Sequence, residues 1–176
     1  MTGSPEKPPS QIEIVPATLD QQSVLANLLE LYVHDFSEIH PVELRPDGRF
    51  GYDNLPRYWL EPDRHPLLLK LDGKLAGFAL VKKGSEISGN PTVWDMAEFF
   101  ILRGHRRRGA GTAAAHEVWR RFPGPWEVRV MESNHAAHRF WLHAITEFSG
   151  KPTPSTRVDK DGRRWHLFSF ESSPAA

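Results

Sequence analysis

Apolar and polar positions along this chain switch between a period of two and a period near 3.6, and the switches divide it into elements. Ile12 and Ile14 alternate with polar neighbours and stop at Pro16, which predicts a short first strand. With Thr18 or Asp20 as a cap, Leu25, Leu28, Leu29, Tyr32, Val33 and Phe36 recur at helical spacing, and His40-Pro41 closes that helix. The chain to Gly51 reads as loop, and Tyr52–Leu60 as a short helix containing Pro56. Pro66–Leu71, the Asp72-Gly73 pair and Leu75–Val81 form a hairpin pattern. A turn over Gly84–Pro91 then leads into a long strand, Thr92–Leu102.

The second half repeats the alternation of periods. Gly111, Ala114, Ala115, Val118, Trp119 and Phe122 make one apolar helix face, which Pro123-Gly-Pro125 ends. Trp126, Val128 and Val130 alternate with Glu127, Arg129 and Met131, as in a strand. Ala137, Phe140, Trp141, Ala144, Ile145 and Phe148 mark a further helix, which stops at Gly150. Ser155–Val158, a turn at Asp159–Gly162 and Trp165–Phe170 read as a closing hairpin. The order is β, α, α, β, β, β, α, β, α, β, β, without an internal repeat. It predicts one domain over 11–171, between a disordered tail at 1–10 and a short tail at 172–176.

Composition narrows the function classes. The formal net charge of the 176 residues is zero, which argues against a general nucleic-acid binder, although Arg106-Arg107-Arg108 is a basic run. There is no cysteine, which excludes disulfides, thiolate metal sites and a cysteine nucleophile. His135 and His138 lie three apart on a helix, but no third ligand follows at motif spacing, so no metal is expected. With no long apolar run and no signal-like N-terminus, the expectation is a soluble cytoplasmic protein that does not bind membranes. Charge is nevertheless segregated. Nine acids oppose four arginines between Leu19 and Pro66, while seven arginines oppose Glu117 and Glu127 between Ile101 and Arg129. The first part suits a cationic partner and the second an anionic one.

The most informative stretch is Phe99–Thr112, an apolar strand end, a basic turn and a helix that opens on Gly109 and Gly111. Such a turn aims several backbone N–H groups at one point, at the positive end of a helix dipole. Glycines let the main chain approach an anion closely, and arginines add forked donors suited to phosphate oxygens. The chemistry implied is the cradling of a pyrophosphate. A Walker loop would need Gly-Lys-Ser/Thr, which is absent, and the dinucleotide fingerprint fits only in its looser form, with Ala114 as the third small residue.

Arg106-x-x-Gly109-x-Gly111 resembles the pyrophosphate loop of the GNAT superfamily of N-acetyltransferases, Arg/Gln-x-x-Gly-x-Gly/Ala after the fourth strand. Asn134-x-x-Ala137-x-x-Phe140-Trp141 resembles that superfamily's Asn-x-x-Ala-x-x-Phe-Tyr, one helix and one strand further on. The resemblance implies an α/β (α+β) fold, with a mixed, mostly antiparallel central sheet of six to seven strands flanked by about four helices. It also implies direct transfer of an acetyl group from acetyl-CoA to a primary amine, here expected to belong to a small molecule. On matched positions, the backbone of Ile101, Leu102 and Arg103 pairs with the pantetheine arm, and the amides of Arg107, Arg108, Gly109, Ala110, Gly111 and Thr112 meet the pyrophosphate. The Arg106 and Arg108 side chains reach phosphates, and Asn134, Phe140 and Trp141 flank the cofactor. The superfamily's dimers leave a homodimer open.

A charged amine cannot attack until a base takes its proton. The resemblance offers two candidates, Glu98 and Asp95. Glu98 lies among Ala97, Phe99 and Phe100, where desolvation would raise its pKa, and its bland alternative is an ion pair with Arg129 or Arg139. In a regular strand Asp95 would face the opposite side, unless a bulge intervenes. Where the superfamily often has a tyrosine acid this chain has Trp141, and its three tyrosines (Tyr32, Tyr52, Tyr58) all lie in the N-terminal third. Either water protonates the leaving thiolate, or one of those tyrosines reaches in. The alternative on the same fold is an acyl-CoA-binding sensor without turnover.

Overall fold

The computed structural model describes residues 11–173, so the tail expected at 1–10 and the last three residues lie outside the described part. Strand β1 (Ile12–Pro16) leads into helix α1 (Gln22–Phe36). Leu25, Leu28 and Leu29 are the buried residues of α1, at the spacing the sequence predicts. The helix expected over 52–60 shortens to α2 (Arg57–Leu60). Pro56 explains this, because it lacks an N–H and disfavours helical geometry in the residue before it. Next come β2 (Arg64–Leu71), β3 (Lys74–Lys83), β4 (Trp94–Ile101), α3 (Ala110–Arg121) and β5 (Gly124–Met131). Helix α4 (His135–Ser149), β6 (Thr156–Lys160) and β7 (Arg163–Ser172) complete the order. β7 runs further than expected: Ser172 is buried and donates its hydroxyl to the Trp119 carbonyl at 2.6 Å, so it belongs to the sheet and not to a tail.

The seven strands form one sheet in the order β1-β2-β3-β4-β5-β7-β6. Every adjacent pair is antiparallel except β4 and β5, which are parallel and in register only at Trp94 with Trp126 and Asp95 with Glu127. The expected mixed, mostly antiparallel sheet with four helices is what forms. Beyond Asp95, β4 continues for six residues without β5 as a partner.

Each sheet face buries its own core. Under α3 and α4 lie Trp119, Trp126, Trp141, Val128, Val130 and Phe168. Under α1 and α2 lie Leu25, Leu29, Tyr58, Leu68, Phe78, Leu80 and Phe100. The fully buried Trp119 is ringed by Trp141, Phe148 and Phe170 at 4.8–6.0 Å between ring centroids.

Strand β3 approaches β4 unusually closely at Gly77. A Cβ there would sit 1.9 Å from the Phe100 carbonyl oxygen, a backbone atom that cannot swing aside. Gly77→Ala is therefore expected to cost about 3 kcal/mol or more in a urea melt. Gly104→Ala, at a position with nothing within 4 Å, should leave the midpoint nearly unchanged. Equal effects of the two substitutions would contradict the close approach.

Candidate active site

A bulge in β4 decides which way its carboxylates point. Leu80 faces Glu98 but Val81 faces Met96, so Ala97 is an extra residue in the ladder. Without it, Asp95 and Glu98 would lie on opposite faces. With it, both lie on the α1/α2 face, beside the point where β4 and β5 part.

Both oxygens of Glu98 accept phenolic protons. Tyr32, from α1, donates to Oε2 at 2.5 Å, and Tyr52, from the segment between α1 and α2, donates to Oε1 at 3.0 Å. Burial raises the Glu98 pKa above the ordinary glutamate value, opposed by the nearby Arg129 cation and by the two phenols. Burial and the adjacent carboxylate likewise push both tyrosines well above the usual phenol range. The Tyr32 ring is fixed edge-on by Phe78 and Phe100, at 5.8 and 5.9 Å between centroids. The sequence leaves open that a tyrosine reaches the site, and two do, although their contact is with Glu98. Tyr32 reads as one more apolar position of α1, so the only signal of its role is a hydroxyl on an otherwise apolar face.

Asp95 has a different role from Glu98. It is 2% exposed and accepts from Arg129 at 2.5 Å, with the buried Lys82 ammonium 3.8 Å away. Lys82 also pairs with Glu86. Burial pushes the Asp95 carboxyl upward while Arg129 and Lys82 pull it back. The guanidinium does not release its proton, so Asp95 keeps a full positive charge beside it. Burial acts against the Arg129 cation too, and Asp95, Glu98 and Glu86 outweigh it. Arg129 thus takes Asp95, not Glu98, as its hydrogen-bond partner.

The basic turn after β4 forms as the glycine pattern requires. Gly109 precedes α3 at φ +77°, and Arg107 also has a positive φ, of 64°. Gly109 brings no capping side chain, and the helix bonds begin with Ala113 N–H to the Gly109 carbonyl. The amides of Ala110, Gly111 and Thr112 therefore face outward for an external acceptor. Two expected details change. Arg106 is committed to the protein, donating from Nε to the Ile101 carbonyl at 2.7 Å and pairing with Asp35 at 2.6 Å. Arg103 also pairs with Asp35, at 2.8 Å. Burial opposes ionisation of Asp35, but the bonds from Arg103 and Arg106 outweigh it and hold its carboxyl below the usual range. Asp35 has a sequence signal, because an acid in the last turn of a helix opposes the dipole unless a cation answers it.

The second change concerns the strand edge. Leu102 N–H donates to the Ala76 carbonyl, so it is turned toward β3. By strand alternation the backbone groups of Phe99 and Ile101 face the gap instead, with the Ile101 carbonyl already taken by Arg106.

The second motif meets the first. Phe140 of α4 lies so near α3 that a Cβ on Gly111 would be 3.1 Å from its ring, and it stacks on Phe99 at 5.9 Å. Asn134 caps α4 by accepting from Ala137 N–H at 3.0 Å. Trp141 is buried in the core against Phe99 and Trp119.

Comparison with known proteins agrees with the fold. Residues 25–144 match the model of the Acetyltransferase (GNAT) family, about two thirds of the chain, and the chain belongs to that family. β1, β6 and β7 lie outside the match but join the same sheet. An acetyltransferase from Thermus thermophilus superposes with a TM-score of 0.66 at 18% identity, covering 91% of this chain and 96% of that one. A GNAT-family acetyltransferase from Streptococcus agalactiae gives 0.68 at 16% identity, covering 91% and 95%. The protein yncA from Salmonella typhimurium, solved with its cofactor acetyl-CoA, gives 0.61 at 13%, covering 94% and 96%. No curated protein matches the chain by sequence. Among the described residues no helix is long and apolar enough to cross a membrane.

The Asp95–Arg129 pair yields a stability prediction. Asp95→Ala strands a buried cation and should cost about 3–5 kcal/mol in denaturant unfolding, and the double replacement Asp95→Leu with Arg129→Met should recover most of that loss. A loss under about 1 kcal/mol for the single variant would show the pair to be solvated.

Proposed function

We propose that this chain transfers an acetyl group from acetyl-CoA to a primary amine of a small molecule, with Glu98 as the base. The observation that carries the reading is the Glu98 carboxylate, held by two hydroxyls just past the last paired residues of β4 and β5. Burial makes this carboxylate a stronger base than an ordinary glutamate, which suits it to accept an ammonium proton, directly or through a water. Asp95, committed to Arg129, positions the two strands and does not act as the base.

The residues present fit acetyl-CoA. The outward amides of Ala110, Gly111 and Thr112 at the positive end of α3 suit the pyrophosphate, with Arg107 and Arg108 exposed beside them. The gap-facing backbone of Phe99 and Ile101 suits an extended amide-bearing arm added as a strand. Phe140 packs beside that gap, and the Asn134 side-chain amide keeps its N–H donors for the arm while its oxygen caps α4. When bound, acetyl-CoA supplies an activated acyl group. The protein's part is to orient the amine, remove its proton at Glu98 and keep the reacting carbon beside it. A cationic acceptor accords with the acid-rich segment 19–66, which borders Glu98 through Tyr32 and Tyr52.

Thermal unfolding with acetyl-CoA, CoA and ATP at fixed ionic strength tests the first half. A ligand at 100 times its Kd adds about 2.7 kcal/mol, so acetyl-CoA and CoA should stabilise well beyond ATP. No shift at millimolar acetyl-CoA would sink the reading. An amine screen tests the second half: Glu98→Gln should lower turnover by about 100-fold or more while retaining acetyl-CoA binding. Binding without turnover of any amine would favour the sensor. Asp35→Asn, which removes a carboxylate competing for Arg103 and Arg106, should tighten acetyl-CoA a few-fold in low salt, and the gain should fade as salt rises.

A further inference from the structure

The thiolate that leaves an acetyl transfer needs a proton, and the position where the superfamily often supplies a tyrosine holds the buried Trp141. The hydroxyls nearest the candidate base are those of Tyr32 and Tyr52, one on each Glu98 oxygen. We infer that these tyrosines are fixed donors that position the Glu98 carboxylate, and that Glu98 itself carries the amine's proton to the leaving sulfur. The inference rests on the acetyl-transfer reading above.

Three observations favour Glu98 over the tyrosines as the proton donor. A hydroxyl whose only proton is donated to Glu98 has none left to give to sulfur. The Tyr32 ring, held between Phe78, Phe100 and Phe36, cannot swing its hydroxyl toward the β4–β5 gap without leaving the core. Acidity points the same way. A thiol has a pKa of about 8.5 and an ordinary phenol about 10, so transfer from phenol to thiolate runs uphill. Burial and the Glu98 charge make both phenols weaker acids still. An ordinary carboxylic acid is a stronger acid than a thiol by about four pKa units, and although burial of Glu98 narrows that gap, it widens the gap against both phenols.

The proton balance is closed. The ammonium gives its first proton to Glu98, which releases it to solvent water. The neutral amine nitrogen then forms the C–N bond, its second proton moves to the ionised Glu98, the C–S bond breaks, and that second proton passes to sulfur. The products are the amide and the free thiol, with Glu98 ionised again. The groups facing the carboxylate are Tyr32 on α1, Tyr52 between α1 and α2, Tyr58 on α2, Asp95 on β4 and Arg129 on β5. Lys82 on β3 faces Asp95. Of these, only Tyr32 and Tyr52 bond to Glu98 itself.

Tyr32→Phe and Tyr52→Phe test the inference by two measurements. The first is titration of the Glu98 side-chain carbon by carbon-13 NMR, with Glu98→Gln identifying the signal. Loss of a donor to a charged group should move the titration to higher pH by about one unit or more in each variant. The second is the pH–rate profile, using the amine of highest turnover in the screen above. Its ascending limb should move up by the same amount, and the high-pH plateau should fall less than tenfold. A plateau that falls about 100-fold or more with an unmoved limb would make the tyrosine the acid and overturn the inference. An unmoved NMR titration would overturn the positioning role. Full activity in Glu98→Gln, or no turnover with any amine, would instead overturn the parent reading, and the proton-return step would fall with it.

Discussion

The architecture depends on how little of β4 and β5 is joined. Among the described residues they are the only parallel neighbours in the sheet, linked through α3, and they pair at two positions before separating. The buried pair of Asp95 and Arg129 ties them at the vertex: Asp95 is the last residue of β4 in register, and Arg129 reaches back to it from further along β5. An ion pair this well buried is a weak source of net stability, but it is specific about which atoms must meet. Past the vertex, β4 presents an unpaired edge that in most sheets would be covered.

Around that gap the chain assembles its chemistry from distant segments. The α3 N-terminus lies where the basic turn leaves β4, and α4 closes in through Phe140. On the opposite face, α1 carries Tyr32 and, one turn on, Asp35. The first bonds to Glu98 and the second to the arginines of the basic turn. One helix thus touches both the carboxylate and the basic turn. Both the gap and the loop lie within residues 25–144, the part that matches the GNAT acetyltransferase family. The two-tyrosine clamp on Glu98 brings together α1 and the segment before α2, while Trp141 is buried in the core on the other face.

Much of this was legible in the sequence because it is local. Helical spacing in α1, α3 and α4, alternation in β5 and β7 and the turns at Asp72-Gly73 and Gly150 follow from backbone geometry and from which side chains can share a face. So does the outward-facing run of amides at Gly109–Thr112, since a helix start without a capping side chain leaves its first N–H groups unpaired wherever it occurs. The errors fell at boundaries where one residue decides, such as Pro56 shortening α2 and Ser172 extending β7.

What the sequence by itself determined was therefore the set of elements, the two motifs and the chemical types on offer. The tertiary structure alone decided their partners. Ala97 gave β4 one extra residue and so turned Asp95 and Glu98 to the same side, a parity that no periodicity fixes in advance. Arg129 then took Asp95, and Glu98 took hydroxyls from positions 66 and 46 residues away. Arg106, which reads as a phosphate ligand, was drawn to Asp35 and the Ile101 carbonyl. Spacing along the chain governs backbone hydrogen bonds within an element. Which buried charge meets which depends on strand register and on where burial leaves no water to take the partner's place.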